Sequence, residues 1–151
     1  MMIKNIQAKT ILATLSHSPD NMFGLSYNMN LYRGCQHGCI YCDSRSSCYR
    51  IENFSDILVK ENAIELLDKE LKSKRKKGTI GTGSMNDPYM PLDKEMELTR
   101  EALKVIGYHR FPVHIITKSD LVFTGLCQTE KIATRMQFFM ENKPTQISLF
   151  D

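Results

Sequence analysis

Tyr32-Arg33-Gly34-Cys35-Gln36-His37-Gly38-Cys39-Ile40-Tyr41-Cys42 places three cysteines at Cys-x3-Cys-x2-Cys spacing. One short loop can aim all three sulfurs at one point. Three thiolates on a loop suit a cluster whose fourth metal is left without a protein ligand. An open metal position is where a small molecule binds and reacts, whereas closed four-ligand sites are usually structural. The competing reading is a structural zinc site made of Cys35, Cys39, Cys42 and either His37 or Cys48. His37 sits cramped inside the loop, and Cys48 completes no familiar zinc pair.

Outward from this loop, the pattern reads as α/β. Residues 3–26 read as an irregular lead-in, with Ser16-His17-Ser18-Pro19-Asp20-Asn21 as turn chemistry. A first strand is expected over Tyr27–Tyr32, released into the cysteine loop by Gly34. Residues 57–77 read as a helix on the spacing of Ala63, Ile64, Leu67 and Leu71, stopped at Gly78 after a basic last turn. Lys72, Lys74, Arg75, Lys76 and Lys77 crowd that end, as a solvated terminus facing the helix dipole or as a phosphate site. Thr79–Gly83 is a second strand. Asp93 reads as the N-cap of a helix with Met96, Thr99, Leu103 and Ile106 on one face, closed by Gly107. Val113–Thr117 is a third strand that delivers Lys118 and Ser119 to the next loop. Strand, helix, strand, helix, strand implies a parallel sheet. Beyond Phe123-Thr124-Gly125 one more helix is expected over Glu130–Met140, with Ile132, Met136 and Phe139 on one face.

Asn30 to Cys42 with Arg45, then Gly81-Thr82-Gly83-Ser84-Met85-Asn86-Asp87-Pro88-Tyr89-Met90-Pro91-Leu92, then Ile115-Ile116-Thr117-Lys118-Ser119, form three ordered blocks. Together they resemble the radical SAM superfamily, in the branch of spore photoproduct lyase and the "DNA repair photolyase" proteins. The resemblance covers residues 27–122, with 1–26 as lead-in and 123–151 as a C-terminal helix and tail. It implies a partial (β/α) barrel of about six strand–helix units, of which only about three are legible here. The expectation is therefore a barrel truncated between Val122 and Cys127, a gap that sequencing the locus for an internal deletion tests. A half-barrel would expose a strand edge and an apolar face, which invites a homodimer or poor stability.

The resemblance also implies a chemistry. Cys35, Cys39 and Cys42 would hold a [4Fe-4S] cluster whose open iron chelates S-adenosyl-L-methionine. Reduction by a flavodoxin or ferredoxin would cleave the sulfonium bond and give a 5′-deoxyadenosyl radical, in a lyase-type reaction on a nucleic-acid lesion. Tyr41 would lie against the adenine, or be a plain core tyrosine. Thr82, Ser84, Asn86 and Asp87 suit the ribose hydroxyls and amino group of the cofactor, while Gly81 and Gly83 permit close backbone approach. Asp87-Pro88 is equally ordinary turn chemistry. Lys118 would meet the cofactor carboxylate or a substrate phosphate, or be solvated. His37 either hydrogen-bonds near the cluster or orients the loop, and Arg45 either balances cluster charge or is an exposed cation. Spore photoproduct lyase uses an additional cysteine as hydrogen donor, to which neither Cys48 nor Cys127 is matched; a buried inert thiol is the common fate of a leftover cysteine. A cluster-binding or electron-transfer fragment without turnover is the alternative from another class.

The totals bound the rest. At 151 residues the chain is one domain's worth, with the apolar and charged content of an ordinary globular protein. A net charge of +3 permits an acidic partner without demanding one. No apolar run approaches a membrane span and no signal peptide is legible, so a cytoplasmic location is expected. Five cysteines, three of them at ligand spacing, favour metal over disulfides in a reducing compartment. Finally, Gln146-Ile147-Ser148-Leu149-Phe150 resembles the peptide with which bacterial repair proteins dock on the sliding clamp.

Overall fold

Alternating burial in short β-branched runs and one-sided apolar helices generate an α/β structure. The computed structural model describes residues 2–15, 23–46 and 53–126. These form seven strands: β1 Ile3–Ile6, β2 Leu12–Thr14, β3 Leu25–Met29, β4 Tyr32–Arg33, β5 Ile57–Lys60, β6 Thr79–Thr82 and β7 Val113–Ile115. The helices are α1 Ala63–Ser73, α2 Asp93–Met96, α3 Leu98–Tyr108 and α4 Leu121–Leu126. The fold divides into a first unit ending at Ser119 and a second beginning at Asp120, of which α4 is the described part.

The first unit holds two mixed sheets. One runs β2-β3-β6-β7, with β3, β6 and β7 parallel and β2 antiparallel to β3. The other runs β1-β5-β4, with β1 parallel and β4 antiparallel to β5. The core gathers Met29 of β3, Ile57 and Val59 of β5, and Ile80 of β6 under Leu67 and Leu71 of α1 and Ala102 and Ile106 of α3. Each fully buried aliphatic side chain contributes roughly 1.5–3 kcal/mol. The two long helices pack against each other, and their ends return the chain to the starts of β6 and β7.

Several expectations are corrected. The N-terminal stretch is not an irregular lead-in: it carries β1 and β2, which find their partners by pairing with β5 and β3. The expected helix from residue 57 begins only at Ala63, because Ile57-Leu58-Val59-Lys60 alternates buried and half-buried as a strand. It ends at Ser73 rather than at Gly78. The expected strand over Tyr27–Tyr32 is two strands with a break at Asn30-Leu31. One helix after Asp93 is in fact two, broken at Glu97, whose φ of 50° lies in the left-handed region. That helix closes beyond Gly107, at Tyr108. Phe123-Thr124-Gly125 is helical in α4 rather than a connector. Not three strands in one parallel sheet but seven in two mixed sheets are present among the described residues. Residues 16–22 and the Glu130–Met140 helix lie outside the described residues.

Two glycines carry the geometry that opens the site. Gly34, at φ 89°, lets the backbone after β4 pass so close to Asp56 that a Cβ would lie 2.3 Å from its carbonyl oxygen. Gly83, at φ 96°, brings the chain after β6 against β7, where a Cβ would lie 1.9 Å from Ile116 O. Gly83→Ala should therefore destabilise the fold by about 3 kcal/mol or more. Gly107→Ala, where a Cβ meets nothing within 4 Å, should stabilise α3 by about 0.5–1 kcal/mol. Urea midpoints of the two variants check both signs.

Candidate functional site

The cysteine loop leaves β4 through Gly34 and is pinned at both ends by backbone bonds. Cys35 N donates to Phe54 O at 2.9 Å, and Cys42 N to Cys39 O at 3.3 Å. A 3-10 turn over Asp43–Arg45 follows. Arg45 Nη1 reaches back to Gly38 O and Cys39 O at 3.4 and 3.3 Å, so this exposed guanidinium staples the loop. Ser44 Oγ donates to Ser84 O at 3.5 Å, joining the loop to the chain after β6.

All three thiols are free and line one cavity of about 310 Å³. Its other walls come from Gly83–Asp87 after β6 and Ile116–Lys118 after β7. These are carboxyl ends of parallel strands, where α/β folds collect functional loops.

Asp87 ties the walls together. Its carboxylate is buried and accepts from Tyr89 N at 2.9 Å, Thr117 Oγ1 at 2.6 Å and Lys118 N at 2.9 Å. His37 Nε2 approaches the same carboxylate to 3.3 Å, without the alignment of a hydrogen bond. Fixed in this way, Lys118 sends its Nζ to Cys39 Sγ at 2.8 Å and to Tyr41 Oη at 2.7 Å. The ammonium also lies 4.7 Å from the Tyr41 ring centroid. The hydrogen bond from Lys118 holds the Cys39 thiol below its usual value, and the same contact raises Lys118. Tyr41 is 80% exposed and its neighbour Ile40 96% exposed, so the loop tip presents apolar surface outward.

A second network lies behind the cavity. Tyr32 Oη donates to Asp93 Oδ1, which also accepts from Thr99 N at 3.0 Å. Asp93 thus caps α3 from six residues upstream, across the α2–α3 break. Burial pushes the Asp93 carboxyl up against the opposing effect of these donors, and burial likewise raises Tyr32. Gln36 Oε1 accepts from Leu92 N at 2.7 Å, docking the cysteine loop on the same segment.

Of the residues singled out in the sequence, the cavity brings together Cys35, Cys39, Cys42, Tyr41, Ser84, Asn86, Asp87, Lys118 and His37. Thr82 is not among its lining residues; it is buried at the end of β6. Asn86 donates Nδ2 to Tyr32 O at 2.6 Å and Asp87 holds three donors, so both have internal partners rather than free polar groups. Sequence reasoning missed the parts of Gln36, Ser44, Met85 and Thr117. Thr117 alone left a signal, as a hydroxyl just past a strand. Cys48, Cys127 and Gln146–Phe150 lie outside the described residues. Among the described residues no group of three His, Cys, Asp or Glu side chains is placed to hold a metal ion, and no helix is long and apolar enough to cross a membrane.

No protein-family model and no solved structure gives a significant match to the chain. An uncharacterized protein of Methanocaldococcus jannaschii is 35% identical over 136 residues, which cover 88% of this chain and 51% of that protein. An uncharacterized protein of Mycobacterium tuberculosis is 28% identical over 103 residues, 64% of this chain and 30% of its own length. The chain spans about half the length of the first relative and under a third of the second.

Asp93 makes a checkable link between site and stability. Its folded value is raised, so its contribution to stability is fully present below the ordinary carboxylate range and is lost as pH rises through the raised value. Asp93→Asn removes that titration. As pH rises out of the ordinary carboxylate range and through the raised value, the parent protein should lose stability relative to the variant, read as the difference between their urea midpoints at each pH.

Proposed function

We propose that this chain is a radical SAM iron–sulfur protein of the spore-photoproduct-lyase-like kind, acting on a nucleic-acid lesion in the cytoplasm. The observation that carries the reading is that three free thiols at Cys-x3-Cys-x2-Cys spacing line one cavity walled by strand-end loops. Parallel β3, β6 and β7 with their helices are read as the opening strands of a partial (β/α) barrel.

In type and spacing the donors suit a [4Fe-4S] cluster: three thiols on one loop, none in a disulfide, beside a cavity with room for a ligand, although they are not drawn together as a ready metal site. Cys35, Cys39 and Cys42 would hold it. When bound, the cluster with S-adenosyl-L-methionine supplies reductive cleavage to an adenosyl radical, with electrons from a flavodoxin or ferredoxin. The chain's own residues supply geometry. Tyr41 offers an exposed ring for the adenine, and Ser84 a hydroxyl at the cavity wall. Lys118 places a cation beside the Cys39 thiol, where it offsets its charge and can turn toward a carboxylate. Asp87 acts through Lys118 and Thr117 by fixing their loop, and Asn86 by anchoring its own to Tyr32 O.

A second reading is a cluster-binding module without turnover. It is favoured by Asn86 and Asp87, whose polar groups are committed to internal partners rather than free for a cofactor.

Anaerobic reconstitution distinguishes these readings. The enzyme reading expects about four irons and four sulfides per chain, lost in Cys35→Ala, Cys39→Ala and Cys42→Ala. It also expects an EPR signal of the reduced cluster that changes with S-adenosyl-L-methionine, and release of 5′-deoxyadenosine. Tyr41→Ala should weaken cofactor binding by about tenfold, the loss of one stacked base. A cluster blind to the cofactor leaves the module reading, and zinc without iron replaces both with a structural zinc site.

A further inference from the structure

The far end of the sheet carries a feature that the cysteine-lined cavity does not use. Lys72, Lys74, Lys77, Tyr108, His109, Arg110 and the ends of two core residues, Leu71 and Phe111, line a polar surface cavity of about 480 Å³. Arg75 and Lys76 are exposed on the same segment. The chain thus brings two separate stretches together, the exit of α1 into β6 and the exit of α3 into β7. Both precede the parallel strands, whereas the thiol cavity follows them. Along a four-residue strand the two sites are roughly 10–13 Å apart or more.

Four observations point to a ligand rather than a solvated helix end. First, among the described residues none of Lys72, Lys74, Arg75, Lys76, Lys77 or Arg110 pairs with a carboxylate, while nearby Asp68 is taken by His109 at 2.7 Å and Glu70 by the amides of Ile11 and Leu12. Second, Lys74 and Lys77 are held in place, their ammonium groups 4.8 and 5.9 Å from the ring centroids of Tyr27 and Phe111. Third, the C-terminal cap of α3, with Arg110 N bonded to Gly107 O at 3.0 Å and Phe111 N to Ile106 O at 3.2 Å, fixes Arg110 at φ 57°, a position that glycine would adopt freely. Fourth, Tyr108 is 82% exposed, its ring edge-on to His109, which Asp68 anchors.

We infer that this surface binds single-stranded nucleic acid, with backbone phosphates on the cations from both stretches and a base stacked on Tyr108. Spaced cations with one rigid, exposed aromatic ring are the elements such surfaces use: the charges track the backbone and the ring accepts any base. A lone small anion would need only one or two of these cations, and cations from two stretches around one ring match the repeating phosphate-and-base pattern of a single strand. The surface stands whether or not the thiol site proves to hold a cluster.

The test needs no cluster. A fluorescein-labelled oligo-dT of about a dozen nucleotides is titrated with the full chain and anisotropy is read at several salt concentrations. Binding should weaken with salt along a straight log–log line. Lys72→Gln/Lys76→Gln/Arg110→Gly should lower affinity by about tenfold or more and flatten the slope by about 2, at about 0.7 per phosphate contact. Because glycine suits the backbone at 110, Arg110→Gly alone should weaken binding while raising the melting temperature, which excludes misfolding as the cause. Tyr108→Ala should weaken binding at unchanged salt slope. The control Lys9→Gln/Lys94→Gln, two exposed lysines elsewhere, should bind as the parent does. Absence of binding at low salt would overturn the inference, as would affinity indifferent to the triple variant. Equal or tighter binding of polyglutamate or of phosphatidylglycerol vesicles would overturn the choice of nucleic acid.

Discussion

The carboxylate of Asp87 is the interaction on which the site depends. It lies after β6, yet its acceptors hold Thr117 and Lys118 after β7, and His37 of the cysteine loop stands 3.3 Å away. Hydrogen bonds to a charged group contribute roughly 1.5–3 kcal/mol each, and a buried carboxylate deprived of its donors costs more than it gave. Asp87 therefore does more than add stability. It fixes the register in which two strand-end loops face one another, and so decides that Lys118 points at Cys39 rather than into solvent. Gly83 makes the same demand from the other side, since only a residue without Cβ lets the chain run against Ile116 O.

The cysteine loop was legible in the sequence because its information is local. Spacing alone says that three sulfurs on eight residues can face one point, and Gly34 marks the departure from the strand. β6 and β7 were legible for a similar reason, as short β-branched runs bounded by polar loops. The N-terminal strands were not. Ile3–Ile6 is largely exposed and carries no clear alternation; it becomes a strand by pairing with β5, 54 residues away. Residues 57–60 were absorbed into the following helix because a short apolar run fits both periods until its partners are known. The break at Glu97 was hidden in the same way: Thr99 and Ile106 fit one helical face whether or not the chain is interrupted upstream.

Site polarity was legible as composition but not as assignment. Sequence can say that Ser84, Asn86 and Asp87 follow a strand, where polar groups collect. It cannot say which of them remains free. Asn86 is committed to Tyr32 O and Asp87 to three donors, because buried polar atoms take the nearest partner the fold offers. Asp93 is the clearest case. Its residue type predicts the N-cap of the helix that follows; it is instead the first residue of α2, and its carboxylate reaches past the break to Thr99 N in the first turn of α3.

The same parallel strands separate two kinds of charge. Loops at their carboxyl ends carry thiols whose useful state is anionic, with Lys118 as the cation set among them. Loops at their amino ends carry lysines and Arg110 that have no carboxylate partner among the described residues. On the proposed readings the two ends divide the work: the amino-end cations hold backbone phosphates, and the carboxyl-end cavity, a strand length or roughly 10–13 Å away, keeps Lys118 beside Cys39 for the group that the cysteines hold. The short strands of the sheet are long enough for that purpose, and the two helices that return the chain to them are what carry the cations to the opposite end.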